Sequence, residues 1–172
     1  EYMLDRSLER YLNIWGHAAE LDYADELDRV KQIQSFLSRY PDACKRSCLE
    51  GHITSSALVL NPKLDKVLLT LHAKLNIWIQ LGGHLEADSS VALGALREAR
   101  EESGCEEVML CHWEANLFGY SSQPTPIDCD IHKIPQRRDE PEHLHFDIRY
   151  LCILDDDIPL VKSDESHDLQ WK

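Results

Sequence analysis

Between Trp78 and Cys105 the chain reads WIQLGGHLEADSSVALGALREAREESGC, and this stretch constrains the fold more than any other. A short apolar strand runs into Gly82-Gly83, which predicts a turn, and a loop of about six residues follows. Asp88, Ser89 and Ser90 are all competent helix N-caps, because each has a short oxygen-bearing side chain that can accept from the first free N–H groups. Val91, Ala92, Ala95, Leu96 and Ala99 form an apolar stripe, and the small alanines allow close approach to a sheet. Gly104 suits the left-handed position just past a helix end. Glu98, Glu101 and Glu102 fall at i, i+3 and i+4, within roughly 100° of one helix face. Like charges so placed repel by a few tenths of a kcal/mol per pair. A helix tolerates that because water screens the face or because a cation sits there. Arg97 stands beside the three acids.

The spacing is more specific than the charge. From Gly83, five residues lead to Ser89, and seven more lead to Arg97-Glu98-Ala99-Arg100-Glu101-Glu102-Ser103-Gly104-Cys105. This resembles the box of the Nudix hydrolases: Gly, five residues, Glu, seven residues, Arg-Glu-apolar-x-Glu-Glu-x-Gly-apolar. The segment departs from that pattern at two places. Ser89 stands where the family has its first box Glu, with Asp88 one residue away as a partial substitute and a capping role open to Ser89. Leu81 stands where many members have Pro, which changes only the stiffness of the backbone.

The resemblance implies an α/β fold, an α/β/α sandwich with a mixed sheet, over residues 51–172. Residues 1–50 lie outside it, as an N-terminal helical extension and linker. It further implies cleavage of the phosphoanhydride of a diphosphate linked to another moiety, a nucleotide derivative foremost, with Mg2+ or Mn2+. By motif position, Glu98, Glu101 and Glu102 with the Gly82 carbonyl are the metal ligands. Glu98, Arg97 and Glu101 form the catalytic set: Glu98 as ligand or as the base that orients water, Arg97 as the cation that holds the acids in place. Two other classes stay open. One is a Nudix-like module that binds a nucleotide with little or no hydrolysis, because Ser89 replaces Glu. The other is an isomerase of isoprenoid diphosphates, ranked last because no Cys motif marks an equivalent site.

Composition bounds the partners. The 172 residues carry 31 acids against 18 bases, a formal charge of −13. Phosphate backbones need a basic face, so a nucleic-acid polymer is excluded as partner. A small phosphate substrate is not, because a bound divalent ion reverses the local sign. No apolar run approaches the ~18–20 residues of a membrane span, and no signal peptide is apparent, so a cytoplasmic location is expected. The six cysteines show no zinc spacing and are expected as free thiols.

Along the rest of the chain, residues 3–16 and 22–40 have helical periodicity, the second ended by Pro41. They are expected to form a helical hairpin that packs on the main domain, with a homodimer contact as the alternative. Residues 42–50 look like a linker. Strands are expected at 52–60, 66–72 and 76–81, one or two within 108–120, and a last one at 169–171. Trp78 is placed either in the core or beside a pocket. Two segments alternate in an unusual way: Asp128, Asp130 and His132 share one face, as do His143, His145, Asp147 and Arg149. His and Asp dominate these faces, which suggests a substrate or metal cleft. His143, His145, Asp147, Asp128, Asp130 and, from the polar loop between the segments, Arg137 are the candidate substrate-binding residues.

Overall fold

The computed structural model describes residues 8–13, 24–115, 124–137 and 140–172. Its centre is a parallel pair of long strands. The β1 strand Gly51–Leu60 and the β7 strand His143–Ile153 run side by side in unbroken register from Gly51↔Leu144 to Leu60↔Ile153. Both are largely buried on both faces, which suits a central position.

Every other pairing is antiparallel. The β4 strand Leu81–His84 and the β2 strand Val67–His72 share the free edge of β1, at Thr54–Ala57 and Val59–Leu60 respectively. The β3 strand Trp78–Ile79 pairs with β2, and the β8 strand Ser166–Trp171 pairs with β2 over Leu68–His72. On the far edge of β7 lie the β6 strand Asp128–Ile134 and the two-residue β5 strand Met109–Leu110. The result is an eight-stranded mixed sheet.

Alternation along β1 and β7 sorts the side chains onto two faces. Ile53, Ser55 and Ala57 share one face with Phe146, Ile148 and Tyr150; His52, Thr54 and Ser56 share the other with His145, Asp147 and Arg149. The apolar face takes the helices. The α2 helix Val91–Ser103 lies so close that a Cβ on Gly94 would come 2.9 Å from Ser55 Oγ. The α1 helix Ala24–Arg39 stacks Phe36 on Phe146, ring centroids 4.2 Å apart. Residues 8–13 are helical and place Leu8 and Tyr11 in the same core as Val30 and Ile33 of α1. Buried Glu26 joins three parts of the chain: it accepts from Tyr11 and Arg29, and from the backbone N–H of Cys129 on β6.

Several expectations are corrected. The diglycine lies within β4 and is not a turn; the expected strand 76–81 is two strands, with Gln80 between them. Extended pairing with Ser55 and Ser56 satisfies a backbone that a turn would leave to solvent. Residues 42–50 are no loose linker: turns bury Ala43 and Cys48, and the Ala43 carbonyl accepts from Ile53 N–H at 2.8 Å. Ser90, not Ser89, caps α2 by accepting from Leu93 N–H, and Ser89 is exposed. The last strand begins earlier than Leu169, at Ser166. Within 108–120 only Met109–Leu110 is strand, and residues 116–120 lie outside the described residues, as do 1–7 and 14–23 of the expected hairpin. Gly104 ends α2 in the left-handed region (φ 67°), as its position required. All six cysteines are free thiols. No described helix is long and apolar enough to cross a membrane.

Because Phe36 closes the core over Phe146, Phe36→Ala is expected to lower unfolding free energy by about 3 kcal/mol. Urea denaturation should keep a single transition. A separate early transition for α1 would show that it does not share the domain core.

Candidate active site

Arg97 organises the loop before α2 and the acids of its C-terminal half. Its Nε donates to Asp88 Oδ1 at 3.1 Å, and its Nη2 to Asp88 Oδ2 at 3.1 Å and to the His84 carbonyl at 2.9 Å. Its Nη1 donates to Glu98 Oε1 at 3.0 Å and to Glu101 Oε2 at 2.9 Å. The fork geometry of a guanidinium suits such sharing, where a lysine ammonium would act as a point charge. The Asp88 carboxylate first, and then Glu98, hold the Arg97 guanidinium further above its ordinary range. Asp88 also accepts from Glu86 N–H, so it fixes the loop as well as the cation. The position that Ser89 leaves unfilled is thus supplied with a carboxylate one residue earlier.

Glu102 is buried, 8% exposed, and its Oε2 accepts from Gly82 N–H at 2.8 Å. Burial pushes its carboxyl up to about 7, with the neighbouring acids Glu98, Glu165 and Glu101 adding to the rise. Glu98 is raised in the same way, by burial first, although Arg97 opposes it. Its carboxylate lies against Gly83, where an added Cβ would stand 2.6 Å from Oε1. Gly82 is constrained from the other side: its φ is +153°, and a Cβ would come 2.6 Å from the Ser55 carbonyl. Both glycines are therefore needed for the helix acids to approach the strand. Among the described residues, Oε2 of Glu98, Oε1 of Glu101 and Oε1 of Glu102 take no hydrogen bond. Three crowded carboxylates with unused oxygens, Glu102 buried, Glu98 half-buried and Glu101 exposed, fit a hard divalent cation, which prefers oxygen ligands.

A second group lies on the polar face of the sheet. Cross-strand pairs Asp128↔Arg149, Asp130↔Asp147 and His132↔His145 bring the two alternating segments together. His143 and His145 are joined there by His52 and His84, with ring centroids about 5 Å apart: 5.0 Å for His52–His84, 4.8 Å for His52–His145 and 5.1 Å for His143–His145. Burial, and then the neighbouring imidazoles, lowers His145 to about 3 and His84 to about 4, so both rings are neutral near pH 7. Asp147 is occupied within the sheet, accepting from Thr54 Oγ1 at 2.8 Å and Ser56 Oγ at 2.6 Å. Asp128 is ion-paired to Arg149. Asp130 lies 3.4 Å from His132 Nδ1 and is half exposed. Arg137 is exposed on its loop, in a backbone bridge with Glu140. Trp78 is half-buried beneath the Lys172 ammonium.

A family model described as the NUDIX domain matches residues 51–172. The chain belongs to the Nudix family. It is an enzyme of the Nudix hydrolase type with the Nudix α/β fold. It is similar to the crystal structure of a NUDIX-family hydrolase from Clostridium perfringens, at 29% identity over 70% of this chain and 80% of that one, TM-score 0.53. A C. elegans Ap4A hydrolase (14% identity, 69% and 77% covered, TM-score 0.49) and an E. coli dihydroneopterin triphosphate pyrophosphohydrolase (12%, 69% and 78%, 0.49) are also similar. A search of curated protein sequences returns no match.

His52, His84 and Glu165 were not legible as site candidates. His84 directly follows the box diglycine, a usable signal. His52 and Glu165 reach their groups only through long-range pairing, which no local pattern reveals; the β1–β7 register sets the one and the β2–β8 register the other.

The raised carboxyl of Glu102 has a defined stability consequence. Its folded value, about 7, exceeds its ordinary 4.5, so the folded state binds more protons between them. Stability is greatest below that window and falls as pH rises through it, by up to about 3 kcal/mol. Neutral His84 and His145 act oppositely, losing stability as pH falls below their ordinary value of 6.5. Urea denaturation of chelator-treated protein across pH 4.5–8 should therefore show a difference between wild type and Glu102→Gln that grows with pH. Parallel curves would contradict the assignment.

Proposed function

We propose that this chain is a metal-dependent hydrolase that cleaves the phosphoanhydride of a diphosphate linked to another moiety, a nucleotide derivative foremost, by water attack at phosphorus. The observation that carries this reading is the carboxylate face of α2, fixed by Arg97 and closed against Gly82 and Gly83. Residues 51–172 would carry the chemistry, with residues 1–50 as an N-terminal extension whose described residues 8–13 and 24–50 pack against it.

Glu98, Glu101 and Glu102, with the Gly82 carbonyl, would hold Mg2+ or Mn2+. Such an ion neutralises phosphate oxygens and lowers the pKa of bound water. Arg97 keeps Glu98 and Glu101 from spreading apart, and its hold on the His84 carbonyl keeps the strand end beside them. Glu98 would serve as a ligand or as the base that orients the attacking water; its carboxylate, raised by burial, retains one oxygen outside the Arg97 contact, which supports either role. The polar face bearing His143, His145, Asp128 and Asp130 offers the surface on which the attached moiety would lie. Asp147, engaged by Thr54 and Ser56, would position that surface from beneath. A cytoplasmic location agrees with six free thiols.

Asp88 supports a working site in spite of Ser89, since Arg97 has its carboxylate partner. A panel of nucleoside diphosphate derivatives and non-nucleotide diphosphates, assayed with Mg2+ and Mn2+, tests the reading. Wild type should release a monophosphate product, and Glu102→Gln should lower kcat by about 100-fold or more. If both are equally silent while a nucleotide still binds, the chain is a binding module. Gly83→Ala meets only the flexible end of Glu98, so it should cost no more than about 1 kcal/mol of stability yet lower kcat by displacing that carboxylate. Unchanged kcat in a folded Gly83→Ala protein would remove Glu98 from the mechanism.

A further inference from the structure

The imidazoles of the polar face have a geometry that packing alone does not account for. His52 is 3% exposed and His143 8%, and ligand nitrogens of His52, His143 and His145 all lie within 4.8 Å of one another. His143 Nε2 and His145 Nε2 are 3.3 Å apart. With Zn–N bonds of 2.0–2.1 Å, two nitrogens on a tetrahedral ion stand about 3.3–3.4 Å apart. The pair is thus already at the edge length of such a site.

The other ring nitrogens are committed in the way that metal-ligating histidines require. His143 Nδ1 lies 2.9 Å from the Pro141 carbonyl and His52 Nδ1 3.4 Å from the Cys48 carbonyl. A carbonyl can only accept, so each Nδ1 carries the proton and each Nε2 presents a lone pair. His52 Nε2 is buried with no hydrogen-bond partner. An unsatisfied buried nitrogen is costly, and this one shares a face with the other two rings. His145 needs only to carry its proton on Nδ1 for all three Nε2 atoms to be free. The parallel pair His52↔His145 sets two of the rings on adjacent strands.

We propose that His52, His143 and His145 form a three-imidazole site for a borderline divalent transition ion, Zn2+ in the first instance, separate from the carboxylates of α2. Imidazole suits Zn2+, whereas Mg2+ takes hard oxygen donors, and among the described residues no carboxylate belongs to this nitrogen cluster. Three ligands leave a fourth position for water or a substrate oxygen, with the His84 ring beside it, 5.0 Å from His52 and 5.1 Å from His145. This assignment does not depend on the hydrolase reading.

The test uses untagged full-length protein stripped with a chelator and titrated with Zn2+ alone against a chromophoric competitor. One equivalent should bind, unaffected by millimolar Mg2+. His145→Ala and His143→Gln should weaken it about 100-fold or more, while the double variant Glu101→Gln/Glu102→Gln retains it within about threefold. Co2+ added to wild type should give the intense visible bands of a four-coordinate nitrogen site, a readout that needs no variant to fold. Absence of stoichiometric Zn2+, a thiolate-to-Co2+ charge-transfer band, or loss of the ion in the glutamate variant with retention in the histidine variants would each overturn the proposal.

Discussion

Arg97 is the charge on which the helix acids depend. One guanidinium touches Asp88, Glu98, Glu101 and the His84 carbonyl, so it links the loop, the helix and the strand in a single contact set. Without it, Glu98 and Glu101 would repel one another at helical spacing and the loop would lose its anchor. Its pairing is part-buried, with the side chain 22% exposed, so solvent screens it less than a surface pair. The exposed pair Arg46–Glu140 is of the other kind and does little more than tack a turn to a loop.

The sheet gives this arrangement its reference frame. β1 and β7 separate an apolar face, which takes α1 and α2, from a polar face of imidazoles and carboxylates. The diglycine in β4 lets the helix acids meet the strand backbone, and His84, next in line, turns its ring to the polar side. The two chemistries are therefore neighbours through one strand, although they face different layers of the molecule.

Local spacing carried much of this. The box motif specified the helix, its acids and the glycine that ends it, because those features repeat within a few residues. Period-two alternation put Asp128, Asp130 and His132 on one face of their segment and His143, His145, Asp147 and Arg149 on one face of theirs; the cross-strand register brings the two faces together. What local spacing could not carry was register between distant strands. Nothing near His52 tells that it pairs with His145, and nothing near Asp147 tells that Thr54 and Ser56 will claim its oxygens. The cap went to Ser90 because Asp88 was drawn to Arg97, a tertiary contact that outweighs capping preference.

The parallel joining of β1 and β7 also sets an order of events. Thr54 and Asp147 bond across 93 positions of sequence, and the imidazole cluster closes through the same ladder. Such far-separated pairing is slow to form. During synthesis, the ribosome must release the chain through His145 before these rings can find each other. A nascent fragment that ends before His143 holds the complete helix motif yet only half of the imidazole group, so the two chemistries are assembled at different moments in the life of the molecule.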